Sequence, residues 1–441
     1  MKDMLEKLFK LKENKTTVRT EILAGIITFL TMSYILAVNP QILGETGMDR
    51  GALFTTTAVA AIAGTLFMAL IANVPIAQAP GMGLNNFFAF SVVIAMGHTW
   101  QFALTGVLLS GFCFMLLTIF NIRKIIVDNI PVGLKNAIPI GIGLFITIIG
   151  LKSAGIVTPN QFTLVQLGNM ADPNVWIAIL GLIVIAVLLV KRVHGAILIG
   201  IIISTIFAGF LGLIQLPQGS WITLPPSIEP ILFKFEWSNI FTFDMLIVVF
   251  TFLMVNIFDA MGTLIGVISK IGKSEKDGSF PQLQKALFAD AIGTFVGAIL
   301  GTSPNTSYVE SASGVAAGGR TGLTSVSTTL MFVLALFFAP IFLMVPAAAT
   351  APALIIIGLF MMSSVADINF NEISEGFPAF VTIIFMPFTY SIANGIIFGM
   401  LAFTIVKLLS GKVKDVSLTM YVLTLFFLIK IFLDASNAFV H

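Results

Sequence analysis

Two carboxylates stand where a charge is expensive. Glu310 closes the stretch Gly301-Thr302-Ser303-Pro304-Asn305-Thr306-Ser307-Tyr308-Val309-Glu310, mostly small, hydroxylated or amide residues inside a long apolar region. Asp259, in Asn256-Ile-Phe-Asp-Ala-Met-Gly-Thr-Leu, is the only acid in the interior of its own apolar run. A carboxylate at membrane depth costs at least ~2.5–3.5 kcal/mol, so such acids are functional hypotheses by default. The plainer reading is a structural hydrogen-bonding group capping a broken helix. An ionised carboxyl accepts hydrogen bonds and a protonated one also donates. Two of them can therefore bind a polar solute and carry a proton.

A second polar stretch answers the first: Ile76-Ala-Gln-Ala-Pro80-Gly81-Met-Gly83-Leu-Asn85-Asn86-Phe87-Phe88. Non-helical backbone at membrane depth is tolerated only when buried in protein or lining a cavity. Each stretch therefore predicts a broken helix. The first is extended to Pro80 and helical from about Gly81; the second is extended to about Pro304 and helical from roughly Tyr308. Proline suits a first helical turn, where its missing N–H would be unpaired anyway. The two half-helix N-termini then face each other with free N–H groups suited to carbonyl oxygens and anionic ring nitrogens. The alternative is that Gly81 and Gly83 only permit close packing. Phe87, Phe88, Phe258 and Tyr308 could stack on a planar ligand, or simply face lipid. Gly266-Val-Ile-Ser-Lys-Ile-Gly272-Lys273-Ser274 has one residue too many for a P-loop and follows a membrane helix, not a strand. Gly318-Gly319-Arg320-Thr321-Gly322 reads as a tight turn.

The elements that must hold these residues are membrane helices. Only 10% of the 441 residues are charged and 57% are hydrophobic, against about 25% charged in soluble domains; mean hydropathy is +1.03. From Gly51 to Ile122 there is no Asp, Glu, Lys or Arg. The apolar runs are continuous rather than alternating, which argues against a β-barrel. Fourteen spans are expected, near 21–39, 51–72, 81–97, 101–120, 137–151, 174–190, 194–214, 244–268, 283–300, 308–319, 322–343, 352–366, 376–390 and 391–409. A further apolar segment at about 418–433 is either an extra span or interfacial. With a cytoplasmic N-terminus, this count puts nineteen Lys and Arg inside and three (Arg50, Lys152, Lys234) outside, as the positive-inside rule requires. Residues 1–20 read as a cytoplasmic lead-in, not a signal peptide. The single Cys113 excludes an internal disulfide, and His98, His194 and His441 form no metal-ligand pattern. No cofactor, metal or nucleic acid is expected.

The chain repeats itself weakly but in order. Thr28-Phe29-Leu30 recurs as Thr251-Phe252-Leu253, Pro80 answers Pro304 and Asn86 answers Glu310. The run from Asn136 resembles that from Thr350, and His194-Gly195 resembles Asn394-Gly395. Seven spans per half is odd, so the second half enters the membrane upside down. The expected fold is all-α and polytopic, with two inverted seven-helix repeats around a midplane site, the architecture of secondary transporters. With no nucleotide motor, an ion gradient or the solute's own gradient must drive it.

Asn305-Thr306-Ser307-Tyr308-Val309-Glu310 with Phe258-Asp259-Ala-Met-Gly262-Thr-Leu resembles the nucleobase/ascorbate transporter superfamily. Arg19-Thr20-Glu21, Thr28-Phe-Leu-Thr31-Met-Ser-Tyr34, Ala79-Pro80-Gly-Met-Gly-Leu-Asn85 and Gly318-Gly-Arg-Thr-Gly-Leu-Thr324 point to its AzgA-like purine-permease branch, over residues 15–435. The resemblance implies a core domain (helices 1–4 and 8–11; 21–120 and 244–343), a gate domain (helices 5–7 and 12–14; 121–214 and 344–410) and a C-terminal segment, 411–441. It implies a purine base held between the half-helices and co-transported with H⁺. Asp259 and Glu310 are the essential, proton-coupling acids. Asn85, Asn86, Phe88, Phe258 and the 302–303 backbone (Thr302, Ser303) complete the substrate site. Where some relatives have a histidine one turn after the helix-eight acid, this chain has Thr263.

The leading expectation is thus a guanine/hypoxanthine:H⁺ symporter of the cytoplasmic membrane, not an enzyme, with a homodimer left open as an assembly. An adenine permease of the same family is the alternative. A channel or membrane-embedded enzyme would need a filter ring, a nucleophile–base pair or a metal cluster, and the sequence offers none.

Overall fold

A computed structural model describes residues 2–120, 129–214, 216, 219–271 and 281–438. Arg123, Lys124, Lys273, Lys276 and His441, and the Gly272-Lys273-Ser274 end of the dismissed near-motif, lie outside the described residues.

Side-chain caps mark where several helices begin. Thr17 accepts from the Thr20 N–H to start α2 (Val18–Met32), which continues past Tyr34 as α3 (Ile35–Gly44). Asp49 caps α4 (Arg50–Phe67), whose last turns are π-helical over Met68–Ala72. These caps satisfy N–H groups that the first turn leaves orphaned. A short α1 (Lys2–Phe9) precedes them. The chain then runs through the strand β1 (Gln78–Pro80) into α5 (Met82–Asn86), prolonged by a π-helical segment, Phe87–Ala95. Next come α6 (Trp100–Ile119), α7 (Val132–Ser153), an exposed hairpin of β2 (Val157–Asn160) and β3 (Leu164–Leu167), α8 (Pro173–Val190) and α9 (Ala196–Phe210). The second half gives α10 (Phe243–Ile271), α11 (Pro281–Leu300), β4 (Asn305–Ser307), α12 (Ser311–Ala316), α13 (Gly322–Ala335), α14 (Ala339–Leu343), α15 (Ala347–Met361), α16 (Ile373–Phe388), α17 (Ile392–Leu409) and α18 (Leu418–Ala438).

Among the described residues, ten helical segments are long and apolar enough to cross a membrane. Met82–Ala95, Ala196–Phe210, Ile373–Phe388 and Leu418–Ile429 are shorter apolar helices. The expected span at 308–319 is helical only over Ser311–Ala316, because residues 308–310 form the turn that follows β4. Residues 418–433 are helical, within α18.

Two packing groups emerge. In one, α2, α3, α4, α6, α10, α11, α12 and α13 pack on one another; in the other, α7, α8, α9, α15, α16 and α17 do. The strands β1 and β4 cross inside the first group as an antiparallel pair, Gln78 opposite Ser307, Ala79 opposite Thr306 and Pro80 opposite Asn305, all six buried.

Neighbouring helices hold this crossing in matching ways. Thr65 Oγ1 donates to the Gln78 carbonyl (3.2 Å), and Thr294 Oγ1 to the Asn305 carbonyl (2.7 Å). Each threonine follows a glycine, Gly64 or Gly293, and a Cβ on either glycine would lie 2.2–2.3 Å from Gln78 Oε1. With Ala79 and Thr306 as the equivalent middle residues, Gln78 corresponds to Asn305, and Gly83 to Glu310. The sequence pairing of Asn86 with Glu310 is therefore shifted by three residues. The prolines shift as well: Pro80 ends its strand and Pro304 precedes its own, so neither opens a helical turn. Strand pairing needs Asn305–Ser307 extended, and the helix starts only after Glu310.

Candidate functional site

Asp259 and Glu310 share one cavity of about 340 Å³, within the 300–1,000 Å³ typical of small-molecule sites. Helix α10 presents Phe258, Asp259, Gly262 and Thr263 to it, residues one turn apart on a single face. The crossing strand and following turn supply Thr306, Ser307, Tyr308, Val309 and Glu310, and Tyr34 comes from the break between α2 and α3. The opposite wall belongs to the other packing group: Pro139 of α7, and Ile357, Met361 and Ser364 at the end of α15 and just beyond. Among the described residues, Asp259 and Glu310 are the only Asp, Glu, Lys or Arg that line the cavity.

Each acid has one hydroxyl partner. The Thr306 hydroxyl donates to Asp259 Oδ2 at 3.3 Å, and the Tyr34 hydroxyl to Glu310 Oε1 at 2.6 Å. Glu310 also occupies the N-cap position of α12. Tyr308 turns its hydroxyl back to the Pro80 carbonyl at 2.6 Å, and its N–H binds the Ala77 carbonyl at 2.9 Å, tying the two broken elements together. A Cβ on Gly262 would meet nothing within 4 Å, so the absence of a side chain there adds to the cavity.

Of the eight residues singled out in the sequence, Phe258, Asp259 and Glu310 line this cavity. Asn85 and Ser303 lie fully buried beside it, the Ser303 hydroxyl donating to Asn85 Oδ1. Thr302 accepts from Asn39 Nδ2 at 3.1 Å, Asn86 donates to the Met82 carbonyl at 2.7 Å, and Phe88 is a fully buried core ring. None of these five lines the cavity. Met82 and Gly83 supply the first half-helix's share of the lining; Asn86, one turn on along the same face, folds its amide back onto the Met82 carbonyl instead, and Thr302 and Ser303 precede the strand.

Sequence reasoning missed a third intramembrane acid. Asp290 of α11 is fully buried, and its Oδ1 accepts from Gln78 Nε2 (3.0 Å) and from the Ser307 hydroxyl (2.7 Å). It pins β1 to β4 from behind. The only sequence signal was a lone aspartate in the apolar run 286–300. Glu21, quoted only as part of a motif, is also fully buried. It accepts from the N–H groups of Arg320 (2.9 Å), Thr321 (3.2 Å) and Thr324 (3.1 Å), capping α13 from another helix. Among the described residues no group of His, Cys, Asp and Glu could hold a metal ion.

A multi-span helical protein with two crossed, broken elements around a buried two-acid cavity is built as a membrane transporter. The chain matches the Permease family over residues 19–398. It is 44% identical over 433 residues to the adenine permease AdeP of Escherichia coli K12, covering 98% of this chain and 97% of that one. It is 43% identical over 433 residues to the guanine/hypoxanthine permease PbuO of Bacillus subtilis 168, covering 97% of this chain and 100% of that one. The nucleobase transporter PlAzg2 of Paenibacillus larvae is 32% identical, over 88% of this chain and 77% of its own length. The chain belongs to the nucleobase/ascorbate transporter superfamily, in its AzgA-like branch, and is a transporter rather than an enzyme. Its fold is shared with the transmembrane domain of the cyanobacterium bicarbonate transporter BicA (TM-score 0.63, 16% identity, 85% of this chain and 97% of that one). It is also shared with SLC26A9 (TM-score 0.60, 12% identity, 93% of this chain and 69% of that one).

Proposed function

We propose that the chain imports purine bases across the cytoplasmic membrane together with H⁺, its N-terminus inside. The observation that carries this reading is the shared cavity in which Asp259 and Glu310 meet Tyr34, Thr306 and Phe258. A purine fills such a volume, stacks on Phe258 and offers its ring N–H groups to a carboxylate. Either acid can take the coupled proton, and Thr263 leaves no histidine for that role. Asn85, Asn86, Phe88, Thr302 and Ser303 then act on the base through the half-helices they brace. Fourteen helices in two inverted repeats, with a core domain (21–120, 244–343) moving against a gate domain (121–214, 344–410), would expose the cavity alternately to each side. The matched Gly-Thr clamps on the strand crossing support that symmetry, and the cavity wall shared by the two packing groups supports the movement.

Guanine and hypoxanthine are the favoured substrates. A 6-oxo group with N1–H and a 6-amino group with bare N1 present opposite edges, and mismatched buried polar groups go unpaired at ~1–3 kcal/mol each. Two mismatches give roughly 30-fold or more discrimination. Identity to an adenine permease is equally high, so adenine is the second reading. Uptake of labelled hypoxanthine into cells lacking their own permeases, competed by guanine, adenine, xanthine and uracil, separates them. Guanine is expected to compete best. Adenine competing as well would select the second reading, and uracil winning would reject purine transport.

A further inference from the structure

A second cavity of about 340 Å³ lies on the same seam between the two packing groups. Helix α15 fixes its depth. The acid-lined cavity touches Ile357 to Ser364 at the helix end, whereas this one touches Ala347, Thr350 and Leu354 at its start. The two therefore open toward opposite faces of the membrane. Phe90 and Gln41 line the second cavity from one group, and Lys152 and Tyr390 from the other.

Most polar groups in this wall are already paired. Gln41 donates to the Val345 carbonyl at 2.6 Å and accepts from the Thr350 hydroxyl, and Glu45 binds Arg50 at 3.2 Å. Two are not. The Tyr390 hydroxyl is buried and makes no hydrogen bond among the described residues. Lys152 has no carboxylate partner there, and its Nζ sits 5.4 Å from the Tyr390 ring centre. Phe145 meets that ring edge-on at 5.6 Å and Phe90 at 6.4 Å. Tyr390 is held in place by its left-handed φ of 54° after α16 and by the Ser91 hydroxyl on its carbonyl (3.2 Å). The buried Tyr390 hydroxyl leaves an unmet hydrogen bond that a ligand can satisfy, and the exposed Lys152 ammonium at the edge of that ring offers a charged donor with no carboxylate to compete for it.

We propose that this second cavity is an entry subsite on the face opposite the N-terminus. It takes a flat heterocycle with an exocyclic carbonyl, held by Tyr390 and Lys152 before it reaches Asp259 and Glu310. The inference rests on the purine-transport reading and deepens it. The bound base would also bridge the two helix groups where they must part or close.

The test compares initial uptake of labelled hypoxanthine by wild type, Tyr390→Phe and Lys152→Met, normalised to chain in the membrane. Each variant is expected to raise KM by roughly tenfold, the worth of one hydrogen bond to such a group, with kcat retained. An unchanged KM, or a fall in kcat alone, overturns the subsite and leaves a packing role for Tyr390. Lys152→Cys in a Cys113→Ser background gives a readout independent of turnover. Saturating hypoxanthine should slow its labelling by an impermeant maleimide at least threefold, also with Asp259→Asn added; absence of protection overturns the proposal. Wild-type uptake with unaltered variants defeats only the subsite, whereas a wild type that takes up no base defeats the transport reading as well.

Discussion

Tyr34 and Thr306 set the geometry of the two acids, and Asp290 sets the geometry of the strand that carries Thr306. Asp259→Asn and Glu310→Gln keep the shape of each side chain and remove its ability to exchange a proton. Both are expected to reach the membrane and to lose uptake; near wild-type rates in either would make that acid structural. Tyr34→Phe removes the hydroxyl on Glu310, a hydrogen bond to a charged group worth ~1.5–3 kcal/mol when that acid is ionised. Its expected signature is a shifted pH–rate profile with the chain still folded, read from uptake between acid and neutral pH. Asp290 meets the cavity lining at Ser307. Asp290→Ala is therefore expected to lower thermal stability as well as uptake, because it leaves Gln78 Nε2 and the Ser307 hydroxyl buried without that acceptor.

At the scale of elements, the strand crossing is clamped by two helices that each bring a glycine and a threonine. Both glycines approach the same atom, Gln78 Oε1. Gly64→Ala and Gly293→Ala are each expected to destabilise by ~1–3 kcal/mol through overpacking. The double variant should cost less than the sum, since one displaced Gln78 amide accommodates both methyl groups. Melting of the four proteins in detergent measures the coupling, and strict additivity would mean that the two glycines do not share Gln78. Glu21 is the second such device. Glu21→Ala orphans the N–H groups of Arg320 and Thr321 at about 1–3 kcal/mol each, and should lower the melting temperature without touching the cavity.

For the whole molecule, the predictions concern direction and driving force. Proton coupling means that a protonophore abolishes accumulation while replacing sodium with choline leaves it unchanged; accumulation that follows the sodium gradient would refute it. The orientation is checked with single cysteines in a Cys113→Ser background. Ser220→Cys is expected to react with an impermeant maleimide on intact cells and Ser410→Cys only after permeabilisation. The reverse pattern would invert the topology. Rigid-body motion between the two packing groups fits the placement of the cavities, since a solute on their seam changes sides only if the groups slide past each other.

The sequence by itself determined the class of protein, the two acids and the two broken elements. Apolar runs can only be spans, and a carboxylate among them is too costly to be incidental. It also placed the end of β1 at Pro80, because Pro80 and Gly81 punctuate the chain sharply. Tertiary structure alone decided the register of β4, which strand pairing sets and no local signal marks; hence the shift from Asn86 to Gly83 as the counterpart of Glu310 in the repeat. It decided which residues of each half-helix face the cavity, turning Asn85, Asn86 and Phe88 behind the wall and bringing Tyr34 into it from more than two hundred residues away. It decided too that Asp290 and Glu21 serve elements remote in the chain. Long-range hydrogen bonds have no periodicity, so composition and spacing cannot report them.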